Sequence, residues 1–190
     1  TWNDNEIQFV YIKSTEGTTY QDKKYKENFT EALSNGFNVG SYHYFRTSSS
    51  IEGQFKNFTD NVDKDSQILV PMIDVEENKN WSRITFHKNL KKFLVMIEDH
   101  YGAKPVIYCV NSFYNKYLSL GYKDYKFMIG RYNTKEPYMI KGDWTIWQFS
   151  EKGEIKGIQK KVDIDRLNTN ASLNEILMNH ESKLQTSSKD

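Results

Sequence analysis

The sequence predicts an α/β fold in which parallel strands alternate with helices. Three observations support this: short apolar runs recur along the chain, helical stretches separate them, and several of the runs end in charged residues. This alternation is typical of a parallel sheet that is covered by helices. A chain of 190 residues is long enough for one such domain and short for two. We therefore predict one domain over residues 1–179, followed by a polar tail at residues 180–190.

Two strand–helix units are predicted in the first part of the chain. Ile7–Lys13 is the first predicted strand, and residues 21–35 carry apolar side chains at helical spacing. Phe37–Phe45 is the second predicted strand. The serine cluster at residues 48–50 is a predicted N-cap for a helix that continues through Phe58. The second unit therefore repeats the order of the first.

The middle of the chain continues the alternation. Its predicted elements are a strand at Ile68–Glu76, a helix at Ser82–Tyr101, a strand at Pro105–Val110, a short helix at Phe113–Leu120, and strands at Lys126–Tyr132 and Trp144–Phe149. Six residues at helical spacing form the predicted buried stripe of the long helix: Phe86, Leu90, Phe93, Leu94, Ile97 and Tyr101. The later strands have too few helices between them for regular crossovers.

The end of the chain is predicted to form a short antiparallel hairpin. Its two arms are Glu154–Ile158 and Val162–Ile164, and a turn-like segment separates them. A final helix is predicted at Leu173–Met178. The residues after it are polar, which is typical of a frayed terminus.

The composition favours a globular domain that acts on a small or locally charged substrate. The 26 Lys and Arg nearly cancel the 25 Asp and Glu, and the net charge of +1 offers no long-range field to attract nucleic acid. No apolar run approaches the ~20 residues that a membrane-spanning helix needs, so we predict no membrane insertion. The first residues show no basic-then-apolar export signal. The 13 Tyr, 11 Phe and 4 Trp suit sugar binding, because pyranose C–H faces pack on aromatic rings.

An Asp-x-Glu pair closes the strand predicted at Ile68–Glu76. Active sites of parallel α/β folds lie at the carboxyl ends of strands, which makes Asp74 and Glu76 candidate catalytic residues. Because side chains of a strand alternate between faces, both carboxyls point the same way, with Cα atoms about 6.6 Å apart. Two carboxyls in one pocket are forced to different pKa values, so that one can act as an acid beside an anion, as glycoside hydrolysis requires. The pair alone equally fits a surface loop or two ligands of Mg²⁺ or Ca²⁺.

Further polar residues stand at predicted strand ends. Asp163 and Asp165 lie on one face of an extended segment near the end of the chain, where a barrel would close beside its beginning. Glu16 follows the first strand. Trp147 and Gln148 supply an aromatic ring and an amide at another strand end. These surroundings favour the catalytic interpretation of the Asp-x-Glu pair.

Seven short motifs are spaced along the chain: Phe9–Gly17, Gly40–Phe45, Pro71–Glu76, Ile107–Tyr108, Trp147–Phe149, Gly157–Ile158 and Val162–Ile164. They occur in the order and spacing of glycoside hydrolase family 25, the N-acetylmuramidase lysozymes. The chain resembles this family from about Trp2 to Leu167. Each motif alone is modest, but seven in register are specific.

The resemblance implies an irregular, flattened (β/α) barrel of the TIM type. It also implies hydrolysis of the β-1,4 bond between N-acetylmuramic acid and N-acetylglucosamine in bacterial peptidoglycan, with no metal or organic cofactor. Glu76 matches the general acid of the family. Asp74 matches a companion carboxylate, which stabilises the transition state or positions the N-acetyl group of the substrate as an internal nucleophile. Asp163 matches a third acid that tunes the pair.

Substrate-binding residues are implied by the same resemblance. They lie near predicted strand ends and are Lys13, Glu16, Tyr42, Tyr108, Arg131, Tyr132, Trp147 and Gln148. Glu16 has a structural alternative, an ion pair with Lys13. His43 occupies a position in one motif and has the alternative interpretation of a core residue with satisfied hydrogen bonds.

One departure from the family pattern concerns its first strand, which carries an Asp-x-Ser motif and lies upstream of the position of Trp2. The sequence has no matching residues, and Asp4 replaces the aspartate neither by motif nor by position. Either the start of the chain was removed or the protein is a natural, weakened relative. The resemblance therefore predicts a barrel that lacks this strand, with an exposed sheet edge through which oligomers could form.

Three hypotheses for function stay open. The first is a muramidase that acts outside the cell or at the cell envelope. The second is a peptidoglycan-binding module with weakened or no catalysis. The third is an unrelated metal-dependent barrel enzyme, and no His/Cys cluster with ligand spacing in the sequence supports it.

Overall fold

A curled sheet of eight strands is the centre of the molecule. The computed structural model describes residues 6–79 and 81–179, so Trp2, Asp4 and the predicted tail at 180–190 lie outside the described residues. The strands are β1 (Phe9–Glu16), β2 (Tyr20–Gln21), β3 (Asn38–Tyr44), β4 (Met72–Asp74), β5 (Val106–Val110), β6 (Phe127–Gly130), β7 (Ile146–Gly153) and β8 (Val162–Leu167). Their order across the sheet is β2-β1-β3-β4-β5-β6-β7-β8.

The sheet is parallel except at its two edges. β1, β3, β4, β5, β6 and β7 run parallel, whereas β2 pairs antiparallel with β1, and β8 with β7. No strand within residues 6–79 and 81–179 joins β8 to β1. The predicted α/β fold is confirmed, with the sheet curled as a half-barrel that is open on one side.

Three helices cover the convex face of the sheet: α1 (Tyr25–Ser34), α2 (Ile51–Asn61) and α3 (Arg83–Tyr101). The predicted N-cap of α2 is confirmed, because the Ser50 side chain accepts a hydrogen bond from the Gly53 N–H. Ser82 caps α3 in the same way, through the Thr85 N–H. The helix α3 ends at Gly102, whose φ of 72° is left-handed and suits glycine. None of the helices in the described part of the chain has the length and apolar character that crossing a membrane requires.

The core between the helices and the sheet is apolar and aromatic. All six residues of the stripe predicted for α3 are buried. They belong to one cluster with odd-numbered strand residues such as Ile73, Ile107 and Ile129. Alternate residues of these strands therefore face the helices, which leaves the even-numbered residues for the concave face.

His43 lies in this helix-side core. Its ring centroid is 5.6 Å from that of Phe58 and 5.5 Å from that of Phe93. Its Nδ1 is 2.7 Å from the Thr15 hydroxyl, and burial lowers the pKa of His43 to about 4. The interpretation of His43 as a core residue with satisfied hydrogen bonds is confirmed.

The concave face is apolar toward the amino ends of the parallel strands. Met72, Val106, Met128 and Ile146 form this layer. The C-terminal segment closes it from below: the 3₁₀ turn Leu173–Ile176 buries Ile176, whose carbonyl accepts a 2.8 Å hydrogen bond from the Val70 N–H. Polar side chains begin one step higher, at the carboxyl ends of the strands.

The predicted hairpin at Glu154–Ile158 and Val162–Ile164 is wrong in its first arm. The strand β7 continues to Gly153 and is itself the antiparallel partner of β8. Residues 154–158 instead form a turn, in which the Ile158 N–H donates to the Ile155 carbonyl at 3.0 Å. Local sequence pattern does not identify the partner of an edge strand, because pairing depends on the register of the whole sheet.

Three other predicted elements differ from expectation in length or type. The strand predicted at Ile68–Glu76 is reduced to β4, because Pro71 has no N–H for pairing. The helix predicted at Phe113–Leu120 is a short α-helical segment followed by a π-helical turn, Tyr114–Leu118. The final predicted helix, Leu173–Met178, is a single 3₁₀ turn. Short helices gain few hydrogen bonds for their nucleation cost, so packing decides their form.

Replacing Ser82 by alanine is expected to lower the free energy of unfolding by about 1 kcal/mol. The reason is that the Thr85 N–H loses its acceptor at the start of the longest helix. Denaturant unfolding monitored by circular dichroism measures the change. Ser34→Ala is the control, because that hydroxyl only donates to the Thr30 carbonyl inside α1. Equal stability of the two variants would contradict a contribution from the cap.

Candidate active site

The carboxyl ends of the strands bring polar side chains together on the concave face. Asp74 of β4 pairs in register with Tyr108 of β5, and Gly130 of β6 pairs with Gln148 of β7. Gln148 in turn pairs with Asp165 of β8. Because side chains of neighbouring strands in register share a face, these groups form one polar layer above the apolar one.

Asp74 is the last residue of β4 and is only 8% exposed. Its Oδ1 is buried and has no hydrogen-bond partner among the described residues. Burial, and then the negative charge of Glu76, raise the pKa of Asp74 well above its ordinary range. A carboxyl group with an oxygen that lacks a hydrogen-bond partner in the protein keeps an acceptor for a donor group of a ligand.

Glu76 lies two residues beyond Asp74 and is half-buried. Burial raises the pKa of Glu76, and the negative charge of Asp163 adds to this effect. A hydrogen bond from the Tyr44 hydroxyl and the positive charge of Arg46 oppose it, but the pKa of Glu76 remains raised. This carboxyl therefore keeps its proton to a higher pH than an ordinary glutamate while a ligand can still reach it.

Two tyrosines and an amide form a hydrogen-bonded cluster beside the carboxyls. The Tyr108 hydroxyl lies 2.7 Å from Gln148 Oε1, and the Tyr132 hydroxyl lies 2.6 Å from the same oxygen. The two hydroxyl oxygens are 2.9 Å apart. A Cβ atom at Gly130 would stand 2.6 Å from the Tyr108 hydroxyl, so glycine at this position leaves room for the cluster.

Asp163 and Asp165 share the concave face of β8. Burial raises the pKa of both, and it raises that of Asp165 to about 8, with the charge of Asp163 as the second cause. The charge of Asp163 also raises the pKa of Glu76 and of Tyr42. This electrostatic effect indicates that Asp163 faces the same side of the sheet as Glu76 and Tyr42.

A network of ion pairs borders the site at the ends of β1 and β3. The Glu16 carboxylate is 2.7 Å from Lys13 Nζ and 2.5 Å from Arg46 Nη2. Arg46 also pairs with Glu77 at 3.0 Å and stacks on the Tyr44 ring at 4.4 Å. Burial alone would raise the pKa of Glu16, but the hydrogen bonds from Lys13 and Arg46 lower it. The alternative interpretation of Glu16, an ion pair with Lys13, is confirmed.

The described residues contain no group of three or more His, Cys, Asp and Glu side chains that is arranged to hold a metal ion. The site offers instead a carboxyl that holds its proton, a buried companion carboxyl and hydroxyl groups of tyrosine. A proton donor beside a second carboxyl is the arrangement that acid-assisted cleavage of a glycosidic bond needs.

Comparison with known proteins identifies the family. Residues 1–158 match the family model described as Glycosyl hydrolases family 25. The chain belongs to glycosyl hydrolase family 25. The resemblance inferred from the seven motifs is thereby confirmed.

Solved structures of family 25 share the fold of this chain. It is similar to a family 25 lysozyme from Aspergillus fumigatus, with 29% identity and a TM-score of 0.75 over 88% of this chain and 85% of that one. It is also similar to a family 25 glycosyl hydrolase from Bacillus anthracis, with 30% identity and a TM-score of 0.76 over 94% of this chain and 82% of the other.

Sequence relatives of this family 25 chain are longer than the chain itself. YegX, an uncharacterized protein of Escherichia coli O6:H1, is 32% identical over 166 residues, which are 87% of this chain and 61% of YegX. The autolytic lysozyme of Clostridium acetobutylicum is 30% identical over 84% of this chain and 48% of its own length. The chain thus spans between about half and three fifths of these relatives.

Two residues that the family 25 resemblance implies for binding are turned away from the concave face. Trp147 packs in the helix-side core against Trp144 and Phe149, and its Nε1 donates to the Arg131 carbonyl at 2.8 Å. Arg131 directs its guanidinium to the Glu136 carbonyl at 2.6 Å, in the loop after β6. The structure therefore does not place these two side chains in the polar layer.

The other residues implied for the site do come together. Tyr42, Tyr108, Tyr132 and Gln148 lie on the concave face, and the charge of Lys13 acts on Asp74 and Glu76. Sequence reasoning missed Tyr44 and Arg46. Alternation with Tyr42 along β3 could have identified Tyr44. Nothing local indicates that Arg46 reaches Glu16, which is 30 residues away along the chain.

Proposed function

We propose that this family 25 chain hydrolyses the β-1,4 bond between N-acetylmuramic acid and N-acetylglucosamine in bacterial peptidoglycan. The observation that carries the proposal is the pair of unequal carboxyls at the end of β4. Asp74 is buried with an oxygen that has no hydrogen-bond partner among the described residues, and Glu76 is half-buried with a raised pKa. The relatives named as lysozymes support the choice of substrate.

Glu76 is the proposed general acid. Its proton passes to the glycosidic oxygen as the bond from that oxygen to the anomeric carbon breaks. The raised pKa of Glu76 keeps this proton available to a higher pH than in an ordinary glutamate. Its partial exposure allows contact with a sugar. General acid catalysis of this kind contributes about 10²- to 10⁴-fold to the rate.

Asp74 is assigned to the N-acetyl group of the substrate. Its carboxyl group accepts the amide N–H of the N-acetyl group, which directs the amide oxygen to the anomeric carbon. A bond between that oxygen and the anomeric carbon forms as the glycosidic bond breaks. Water then attacks the anomeric carbon, gives a proton to the Glu76 carboxylate and releases the restored N-acetyl group. Asp163 tunes the reaction because its charge raises the pKa of Glu76.

The concave face supplies the proposed sugar-binding groove. Tyrosine rings such as those of Tyr42 and Tyr132 pack on sugar faces while their hydroxyls form hydrogen bonds. Glu16 acts by holding Lys13 at the border of the groove. Arg131 and Trp147 act indirectly, since the hydrogen bond between them supports the loop that carries Tyr132. Action on cell wall places the protein at the cell envelope or outside the cell.

Purified peptidoglycan is expected to yield new reducing ends on N-acetylmuramic acid when treated with this protein. Reduction of the digest with borohydride, followed by mass spectrometry, distinguishes muramitol from glucosaminitol. Heat-denatured protein is the control. Glucosaminitol alone would contradict the assigned bond. Background release, together with sedimentation of the protein with the wall, would favour a binding module instead.

A further inference from the structure

Gln148 connects the tyrosine pair of the groove to the outermost strand. Its Oε1 accepts from the Tyr108 and Tyr132 hydroxyls at 2.7 and 2.6 Å. The residue opposite it in register on β8 is Asp165. Burial raises the pKa of the Asp165 carboxyl, and hydrogen bonding from the Gln148 side chain opposes this effect. Since Oε1 faces the tyrosines, the amide N–H group is the part of Gln148 that is free to donate to Asp165.

The carboxyl of Asp165 has no role in the proposed acid catalysis. Its Oδ1 is buried, and within the described ranges it has no hydrogen-bond partner. A carboxyl in such surroundings is unfavourable for stability, because burial removes its hydration without full replacement. This indicates that Asp165 serves the arrangement of the site rather than the stability of the fold.

The orientation of the Gln148 amide decides what the tyrosines offer to a ligand. An amide rotated by half a turn would present N–H groups to the hydroxyls, whose own hydrogens would then point into the groove. With an acceptor on β8, the amide oxygen faces the tyrosines and engages their hydrogens. Lone pairs of the hydroxyl oxygens are then left for donors on the sugar.

We propose that Asp165 is a positioning residue for substrate recognition: by accepting from the Gln148 amide, it fixes the Tyr108 and Tyr132 hydroxyls as acceptors for N–H and O–H groups of the glycan. This inference rests on the proposed function, since it names how the same groove recognises its sugar. Asp165 contacts no reacting atom in this account. Its effect on the substrate passes entirely through Gln148.

Asp165→Leu and Asp165→Asn test the inference as a pair. The leucine variant removes the acceptor at similar size, and the asparagine variant keeps an acceptor oxygen in a side chain of the same shape. Asp165→Leu is expected to raise KM for soluble peptidoglycan about tenfold and to leave kcat within about twofold of the parent. The reason is that the lost contacts bind the substrate and the transition state equally. Asp165→Asn is expected to stay within about threefold of the parent in KM. The Kd of an N-acetylglucosaminyl-N-acetylmuramic acid tetrasaccharide, measured by calorimetry, is expected to change in parallel.

A double-mutant cycle provides the second measurement. Gln148→Met removes both ends of the amide, and adding Asp165→Leu to it is expected to change Kd by less than about twofold, because the two residues act in series. Asp60→Leu is the matched control, because it makes the same chemical change at an exposed position of α2.

Several outcomes would overturn the inference. They are a parent-like KM and Kd in Asp165→Leu, a loss confined to kcat, a loss in Asp165→Asn as large as in Asp165→Leu, and additive effects in the cycle. If the parent releases no reducing ends, the proposed function fails, and the Kd values still decide the inference on Asp165. If Asp165→Leu does not fold, as judged by circular dichroism, the Kd values of Gln148→Met and Asp165→Asn decide the inference. A tenfold rise of Kd in Gln148→Met, together with a parent-like Kd in Asp165→Asn, supports it. Any other combination overturns it.

Discussion

Glu76→Gln is expected to lower kcat for peptidoglycan hydrolysis by about 10²- to 10⁴-fold, because glutamine has no proton to give to the departing oxygen. KM is expected to change little, since the amide has the shape of the carboxylic acid. Release of reducing ends from purified peptidoglycan, measured over a range of substrate concentrations, gives both constants.

Glu31→Gln is the matched control for this variant. It makes the same chemical change at an exposed position of α1, and we expect parent-like constants. Thermal unfolding of both variants separates loss of chemistry from loss of fold. A Glu76→Gln variant that retains more than about a tenth of the parent's kcat would contradict general acid catalysis by Glu76.

Asp74→Asn is expected to lower activity by about 10²-fold or more and to raise stability on the order of 1 kcal/mol at pH 7. Activity falls because the neutral amide of asparagine cannot stabilise the positive charge that develops as the N-acetyl oxygen bonds to the anomeric carbon. Stability rises because a buried carboxyl with a raised pKa is replaced by a neutral group. Active-site groups that are held in unfavourable surroundings commonly show this opposition of activity and stability.

The pH dependence of stability checks the second half of this prediction. The folded pKa of Asp74 lies above its unfolded value, so folding takes up a proton between the two. The parent therefore gains stability as pH falls from the folded pKa toward about 4, and the asparagine variant lacks this gain. The stability difference is expected to be largest at high pH. A stability difference between Asp74→Asn and the parent that grows as pH falls would contradict the prediction. Asp60→Asn is the control, because it makes the same change at an exposed position of α2.

Much of the fold follows from local sequence pattern. Helical spacing identified the buried stripe of α3, and the serine cluster at residues 48–50 identified the N-cap Ser50. These features depend on neighbouring residues only. The pairing of β8 with β7 does not, and the hairpin prediction failed there because an edge strand takes its register from the rest of the sheet.

The candidate site was predictable for residues that lie at the carboxyl ends of parallel strands, where active sites of such folds form. Asp74 and Gln148 each end the apolar body of a strand, and the parallel sheet brings their ends to one edge. Strict alternation also indicates that Trp147 faces the helices when Gln148 faces the groove. The contribution of Arg46 depends on how the segment after β3 returns over β1, and no spacing in the sequence specifies that.

The proposed acid catalysis depends most directly on the protonation of Glu76. Carbon-13 NMR titration of the glutamate side-chain carboxyls, with the Glu76 signal assigned by its absence in Glu76→Gln, measures the pKa of this residue. We predict a pKa above the ordinary glutamate value of about 4.3, and a lower one in Asp163→Asn, where a neighbouring negative charge is removed. A Glu76 pKa at or below the ordinary value, and unchanged in Asp163→Asn, would contradict a proton donor at this position.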